Sequence, residues 1–181
     1  MRWEGLFDDL GAQWDAEERR DRDAEVADRT RRERAEVDLL SRFAAHRGST
    51  LRLRLVTGRT VVGELVDLGR GWLLVRQEGA RREALVPVAA VTAVTGLGAR
   101  SVQAVSARRF GLGYALRALS RDRAAVVLTD TNGLTVSGTI DSVGADALDL
   151  AEHAVDDPRR SENLTGARTV PFSALVLVES R

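Results

Sequence analysis

The chain has 181 residues whose formal charge is zero, 27 basic groups against 27 acids, and it contains no cysteine. That excludes disulfide staples, thiolate zinc sites and thiol nucleophiles, and no apolar run approaches the ~20 residues of a membrane-spanning helix. Apolar content of 44% with 30% charged residues is a globular composition, with room for one ordinary domain or two very small ones.

All 27 basic residues are arginine, a usage that fits a GC-rich bacterial genome. Every cation is therefore a flat, permanently charged fork suited to carboxylate or phosphate. The neutral total hides a partition. Residues 1–47 carry 10 arginines against 13 acids, 48–96 carry 7 against 4, 97–125 carry 6 against 1, and 126–181 carry 4 against 9. A basic middle between acidic ends fits either a nucleic-acid face or halves that attract each other.

The N-terminus, "MRWEGLFDDL", has acids where a signal peptide needs an apolar stretch, so a cytoplasmic location is expected. Trp3, Leu6, Phe7, Leu10 and Trp14 fall on one helical face, with Glu4, Asp8, Asp9 and Gln13 opposite. Residues 15–36 are almost wholly charged. Acid-before-base pairs four apart, Asp15/Arg19, Glu18/Arg22, Glu25/Arg29 and Asp28/Arg32, support a solvent-exposed helix. Thr30 to Glu33 has the form of a capping box that splits it. The aromatic stripe reads as a protein-docking face, or as ordinary core folded back on the body. An acidic polar face argues against binding to anionic membranes.

Residues 38–48, "DLLSRFAAHRG", form a short helical pattern that stops at glycine. Leu51, Leu53 and Leu55 then alternate with Arg52 and Arg54, the period of a half-buried strand. From here the sequence repeats itself. At an offset of 75, Gly58, Gly63 and Gly69 fall on Gly133, Gly138 and Gly144, while Leu65, Leu73 and Val75 meet Ile140, Leu148 and Leu150. Val86-Pro87-Val88-Ala89-Ala90-Val91 matches Val170-Pro171-Phe172-Ser173-Ala174-Leu175 after nine inserted residues. Gly58 and Gly133 sit at hairpin turns, whereas Gly63 and Gly138 sit inside strands, where glycine marks a sharp bend or a close backbone approach. The second copy has its own helical pattern at 108–123. Each unit is expected to be a helix followed by five short, strongly bent strands.

This order of helix, paired glycines and closing "VPVAAV" or "VPFSAL" resembles the Sm-like (LSm/Hfq-like) fold; another small bent barrel of SH3-like or PRC type is the structural rival. The expected organisation is a mainly β chain with helices: an N-terminal helical arm (1–36), a first Sm-like barrel (37–96), a basic linker (97–107) and a second Sm-like barrel (108–181). The resemblance implies that strand edges pair from barrel to barrel, within one chain or between copies in a homo-oligomer. It also implies RNA binding, but the Lys-His pair that the bacterial branch places before its last strand is replaced by Val88-Ala89 and Phe172-Ser173. Remaining candidates for nucleic-acid contact are Arg70, Trp72 and Arg76 near one strand turn, and Arg100, Arg108 and Arg109 in the connector. Trp72 also reads as the start of a core strand, since its counterpart Ala147 likewise opens an apolar run.

Neither His46 nor His153 has the neighbours of a catalytic base or a metal ligand, and no serine stands in a nucleophile elbow. No Walker lysine exists, and Asp156-Asp157 lies in a polar inserted loop. No enzyme activity and no cofactor is expected. Two readings stand: a non-enzymatic adaptor or regulator that docks a protein partner through Trp3, Leu6, Phe7, Leu10 and Trp14, or an RNA- or single-strand-binding protein.

Overall fold

The computed structural model describes residues 18–180 apart from 21, 27, 30, 33–34, 78, 80–81 and 103–108. It separates into two compact units, Met1–Asp38 and Leu39–Arg181. In the first unit, nearly all described residues between 18 and 35 are helical and exposed. Glu18 pairs with Arg22, and Asp28 takes Arg31 at 2.8 Å and Arg32 at 3.1 Å. These are the charge spacings that support a helix through many small gains. The capping box at Thr30–Glu33 and the stripe Trp3, Leu6, Phe7, Leu10 and Trp14 lie outside the described residues.

The second unit is mainly β, with one antiparallel sheet of ten strands. Helix α1 (Leu39–Ala45) precedes β1 (Thr50–Leu55), β2 (Thr60–Gly69), β3 (Trp72–Gln77), β4 (Glu83–Pro87) and β5 (Val91–Thr95). Helix α2 (Leu112–Asp122) precedes β6 (Ala125–Asp130), β7 (Thr135–Val143), β8 (Ala147–Glu152), β9 (Gly166–Pro171) and β10 (Leu175–Ser180). The strand order is β5-β1-β2-β3-β4-β10-β6-β7-β8-β9. Each half therefore repeats one path, with its last strand beside its first.

The curvature follows from the glycines. Gly63 on β2 pairs with Leu51 and Gln77, and Gly138 on β7 with Val126 and Glu152. A Cβ on Gly63 would collide with the carbonyl oxygen of Arg76, and one on Gly138 with that of Ala151. Just beyond, the register slips between Leu65 and Asp67 in one half and between Ile140 and Ser142 in the other. Such bulges bend a strand and increase its twist. Side chains from β1, β2, β3 and β4 share a single buried cluster.

Helix α2 buries Ala115 and Leu116, with Leu112 and Leu119 packed against the second cluster, and stops at Arg123, whose φ of +48° is left-handed. At the β6–β7 turn, Gly133 has a φ of +80° and the Asp130 carboxylate accepts the N–H groups of Asn132 (2.8 Å) and Leu134 (3.0 Å). That is an Asx turn, in which the side chain replaces a backbone acceptor.

The ten strands form one sheet that is not closed, and the outer edge of β4 pairs with β10 of the other half, the barrel-to-barrel pairing within one chain that was one of the two expected alternatives. The start of the connector is also not free. Arg42 donates to the carbonyls of Leu97 (3.1 Å) and Gly98 (2.9 Å), and His46 Nε2 accepts the N–H of Gly98 at 2.9 Å.

Candidate functional site

The halves meet along β4 and β10, where Leu85 lies across from Val178 and Ala84 across from Glu179. The two cores exchange residues at this seam. Val176 and Leu177 of β10 belong to the first cluster, and Trp72 and Leu85 of the first half belong to the second. Glu179 accepts two hydrogen bonds from Arg59 (2.8 and 2.9 Å) and one from the Gln77 amide (2.8 Å). On the other side of the seam, the Arg70 N–H and Trp72 Nε1–H both donate to the carbonyl of Phe110, at 2.8 and 3.0 Å.

Counterparts of the seam strands are left bare at the two ends of the sheet. By the register against β1 and β6, Val94 corresponds to Val178, since they pair with Leu53 and Leu128 respectively. Residues Leu175 to Val178 are all buried, while their counterparts Val91 to Val94 are half-buried or exposed. Ala84 to Pro87 are buried, but of their counterparts Arg168 to Pro171 only Val170 is. Each half thus has a fourth and a fifth strand, and among the described residues one of each, β9 and β5, is unpaired at its outer edge.

Beside the free edge of β9 lies a cavity of about 190 Å³, lined among others by Leu128, Val136, Val170 and Leu175. In the first half, the matching Leu53, Val61 and Val86 are buried in one cluster with Val176 and Leu177 of β10. The side chains that complete the first half have no equivalent in the second. Thr129 is also in the cavity wall and is 3% exposed, and its hydroxyl has no hydrogen-bond partner among the described residues. A buried hydroxyl without a partner is destabilising.

Around β9 the charges are paired. Arg168 bonds Glu152 at 2.6 Å, which holds the guanidinium pKa above its ordinary value. Asp149 accepts hydroxyls from Ser142 (2.6 Å) and Thr169 (2.7 Å), which hold its carboxyl below the usual aspartate range. In the inserted loop, Arg159 grips Asp141 with two bonds of 2.6 Å, and His153 is buried with Nε2 2.8 Å from the Thr139 hydroxyl and Nδ1 2.8 Å from the carbonyl of Ala154. Among the described residues no group of three or more His, Asp or Glu is placed to hold a metal ion.

The residues singled out for nucleic-acid contact are not brought together as one surface. Trp72 is 5% exposed, with its indole N–H committed to Phe110, so it has no free face on which to stack a base. Its core-strand reading is the correct one, for a physical reason the repeat did not reveal: it anchors the entry to α2. Arg76 is held by Glu64 (3.1 Å) and Glu83 (3.7 Å). Arg70 and Arg109 are exposed on segments joined by the Arg70–Gly111 bridge, Arg100 is exposed in the connector, and Arg108 lies outside the described residues. The seam residues Arg59, Gln77 and Glu179 were missed. A signal existed, because the unbroken "LVLV" of 175–178 has the pattern of a strand covered on both faces.

Comparison with protein-family models, with curated proteins and with solved structures finds no match to this chain.

Proposed function

We propose that the protein is a non-enzymatic adaptor built from two tandem Sm-like units, and that it docks protein partners. The observation that carries this reading is the pair of unpaired strand edges, β5 and β9, at the ends of a sheet whose matching strands are buried in the seam. An exposed edge is a row of unpaired N–H and C=O groups ready for another chain. The 5-1-2-3-4 strand path within each half, the paired mid-strand glycines and the "VP" before each final strand support the Sm-like assignment. The N-terminal stripe Trp3, Leu6, Phe7, Leu10 and Trp14 supplies a second docking element of helix-in-groove type.

The test is recovery of the protein with its bound partners from its own cell, with and without nuclease. A protein partner that survives nuclease and is lost on Phe7→Ala/Trp14→Ala supports the reading. Recovery of nucleic acid alone would overturn it.

One observation favours the second reading, a single-strand-binding protein. Arg52, Arg54, Arg70, Arg100 and Arg109 are exposed and make no ion pair among the described residues. That reading requires retention of single-stranded RNA that weakens steeply with salt. The absence of retention at low salt would end it.

A further inference from the structure

We infer that the free edge of β9, with the cavity beside it, takes an extended apolar strand from another protein and completes the second half as β10 completes the first. The inference rests on the protein-binding reading above and names one surface and the chemistry of its occupant.

The chain contains the template. On β4, the added strand brings Val176 and Leu177 into the first cluster, and its backbone pairs Val178 with Leu85. The counterpart of Leu85 on β9 is Thr169, which is exposed, and the counterparts of Leu53, Val61 and Val86 line the 190 Å³ cavity. A strand laid along β9 in the same register would place two adjacent side chains where Val176 and Leu177 sit in the first half. Strand addition of this kind draws affinity from main-chain bonds and selectivity from pockets for side chains.

The occupant's chemistry follows from the differences between the halves. Among the described residues the free fifth strand that a second copy would offer is β5, which has Thr92 and Ala93 where β10 has Val176 and Leu177. A threonine and an alanine offer less apolar volume to the Leu128, Val136, Val170 and Leu175 wall than a valine and a leucine, and unfilled space beside such a wall costs stability in proportion to its volume. Valine- and leucine-sized side chains fill it. Glu179, which follows on β10, meets Arg59 and Gln77, whose counterparts at an offset of 75 are Leu134 and Glu152. The residue directly across, in place of Ala84, is Arg168, which already pairs with Glu152, so the position sets no preference of charge. The occupant is an extended segment of another protein that reads Val-Leu-Val.

The probe is a fluorescein-labelled peptide, Ala-Leu-Val-Leu-Val-Arg-Ser, titrated into the full-length protein. Saturable binding is expected, weakened at least tenfold when the second leucine of the peptide is aspartate. Ala174→Trp, which fills the cavity from its wall, and Thr169→Pro, which puts an imino acid on the edge strand, should each weaken it as much. Amide exchange at residues 166–171 should slow on peptide addition, a readout that needs no variant. Absence of saturable binding, or binding indifferent to both the peptide aspartate and Ala174→Trp, overturns the inference. Native mass spectrometry showing chains joined through β9, and separated by Thr169→Pro, would assign the edge to a second copy and overturn it as well. If the peptide fails while the Phe7- and Trp14-dependent partner persists, this site falls and the adaptor reading stands.

Discussion

The Trp72 indole N–H donates to the carbonyl of Phe110 at 3.0 Å, a bond between the third strand of one half and the residue that leads into the helix of the other. The ring is buried in the second half's core. Gly69 makes room for it, since a Cβ there would collide with both the indole and the Phe110 carbonyl. Truncation by Trp72→Ala should cost about 3–5 kcal/mol. Trp72→Phe keeps most of the ring and removes one of the two donors to the Phe110 carbonyl, which the Arg70 N–H still serves, at a cost of about 0.5–1.5 kcal/mol. Urea denaturation followed by circular dichroism measures both, and a Trp72→Ala variant of unchanged midpoint would remove the residue from the seam.

Gly63 and Gly138 should respond alike to Ala. Each methyl would press on a carbonyl oxygen of the neighbouring strand. Overpacking against backbone costs about 1–3 kcal/mol or more. Gly58→Ala and Gly133→Ala meet open space or ordinary contact, so the positive φ sets the penalty, about 1 kcal/mol. Thermal melts of the four variants should rank the two mid-strand changes as the more damaging.

Glu179 has a side chain only 14% exposed, and its carboxylate accepts three hydrogen bonds from two donor groups, those of Arg59 and Gln77. Glu179→Ala should destabilise by about 1–3 kcal/mol because Gln77 and Arg59 lose a charged acceptor. The more open Glu64–Arg76 pair, at 3.1 Å, should contribute about 0–1 kcal/mol. A denaturant series at low and high salt separates them: the second contribution fades with salt, the first persists.

Asp149 gives a pH dependence. Hydrogen bonds from Ser142 and Thr169 depress its folded pKa below the ordinary carboxylate value. A depressed carboxylate stabilises the fold above its unfolded pKa, and the contribution is lost as pH falls through the folded value. The Asp149 carboxyl carbon, followed by NMR, should titrate below the ordinary aspartate range, and Thr169→Val with Ser142→Ala should bring the midpoint back up.

Much of this fold can be read from one sequence because two of its devices are local. A glycine that must admit a neighbouring carbonyl, and a turn that requires a positive φ, leave their mark at single positions, and here both marks occur twice. Strand β1 is similar, because Leu51, Leu53 and Leu55 alternate with arginines and show the buried face directly. The seam is different. Whether β4 closes onto β5 or onto β10 depends on the competition between two distant strands, and no local pattern near Glu83–Pro87 decides it. The contrast between "LVLV" and "VTAV" does carry the answer, since four consecutive apolar residues need cover on both faces. Trp72 had two readings for a related reason. An indole beside Arg70 has the same local signature whether it stacks on a base or plugs a junction 38 residues away.

The exchange of Val176, Leu177, Trp72 and Leu85 between the two clusters also bears on how the molecule comes apart. Neither half, cut at the connector and expressed by itself, would own all the side chains its interior requires, and a unit of about 60 residues has little stability to spare. Heat should therefore melt both halves in one calorimetric peak. Such a melt would make the two repeats one cooperative body, not divisible into the halves whose outline it displays.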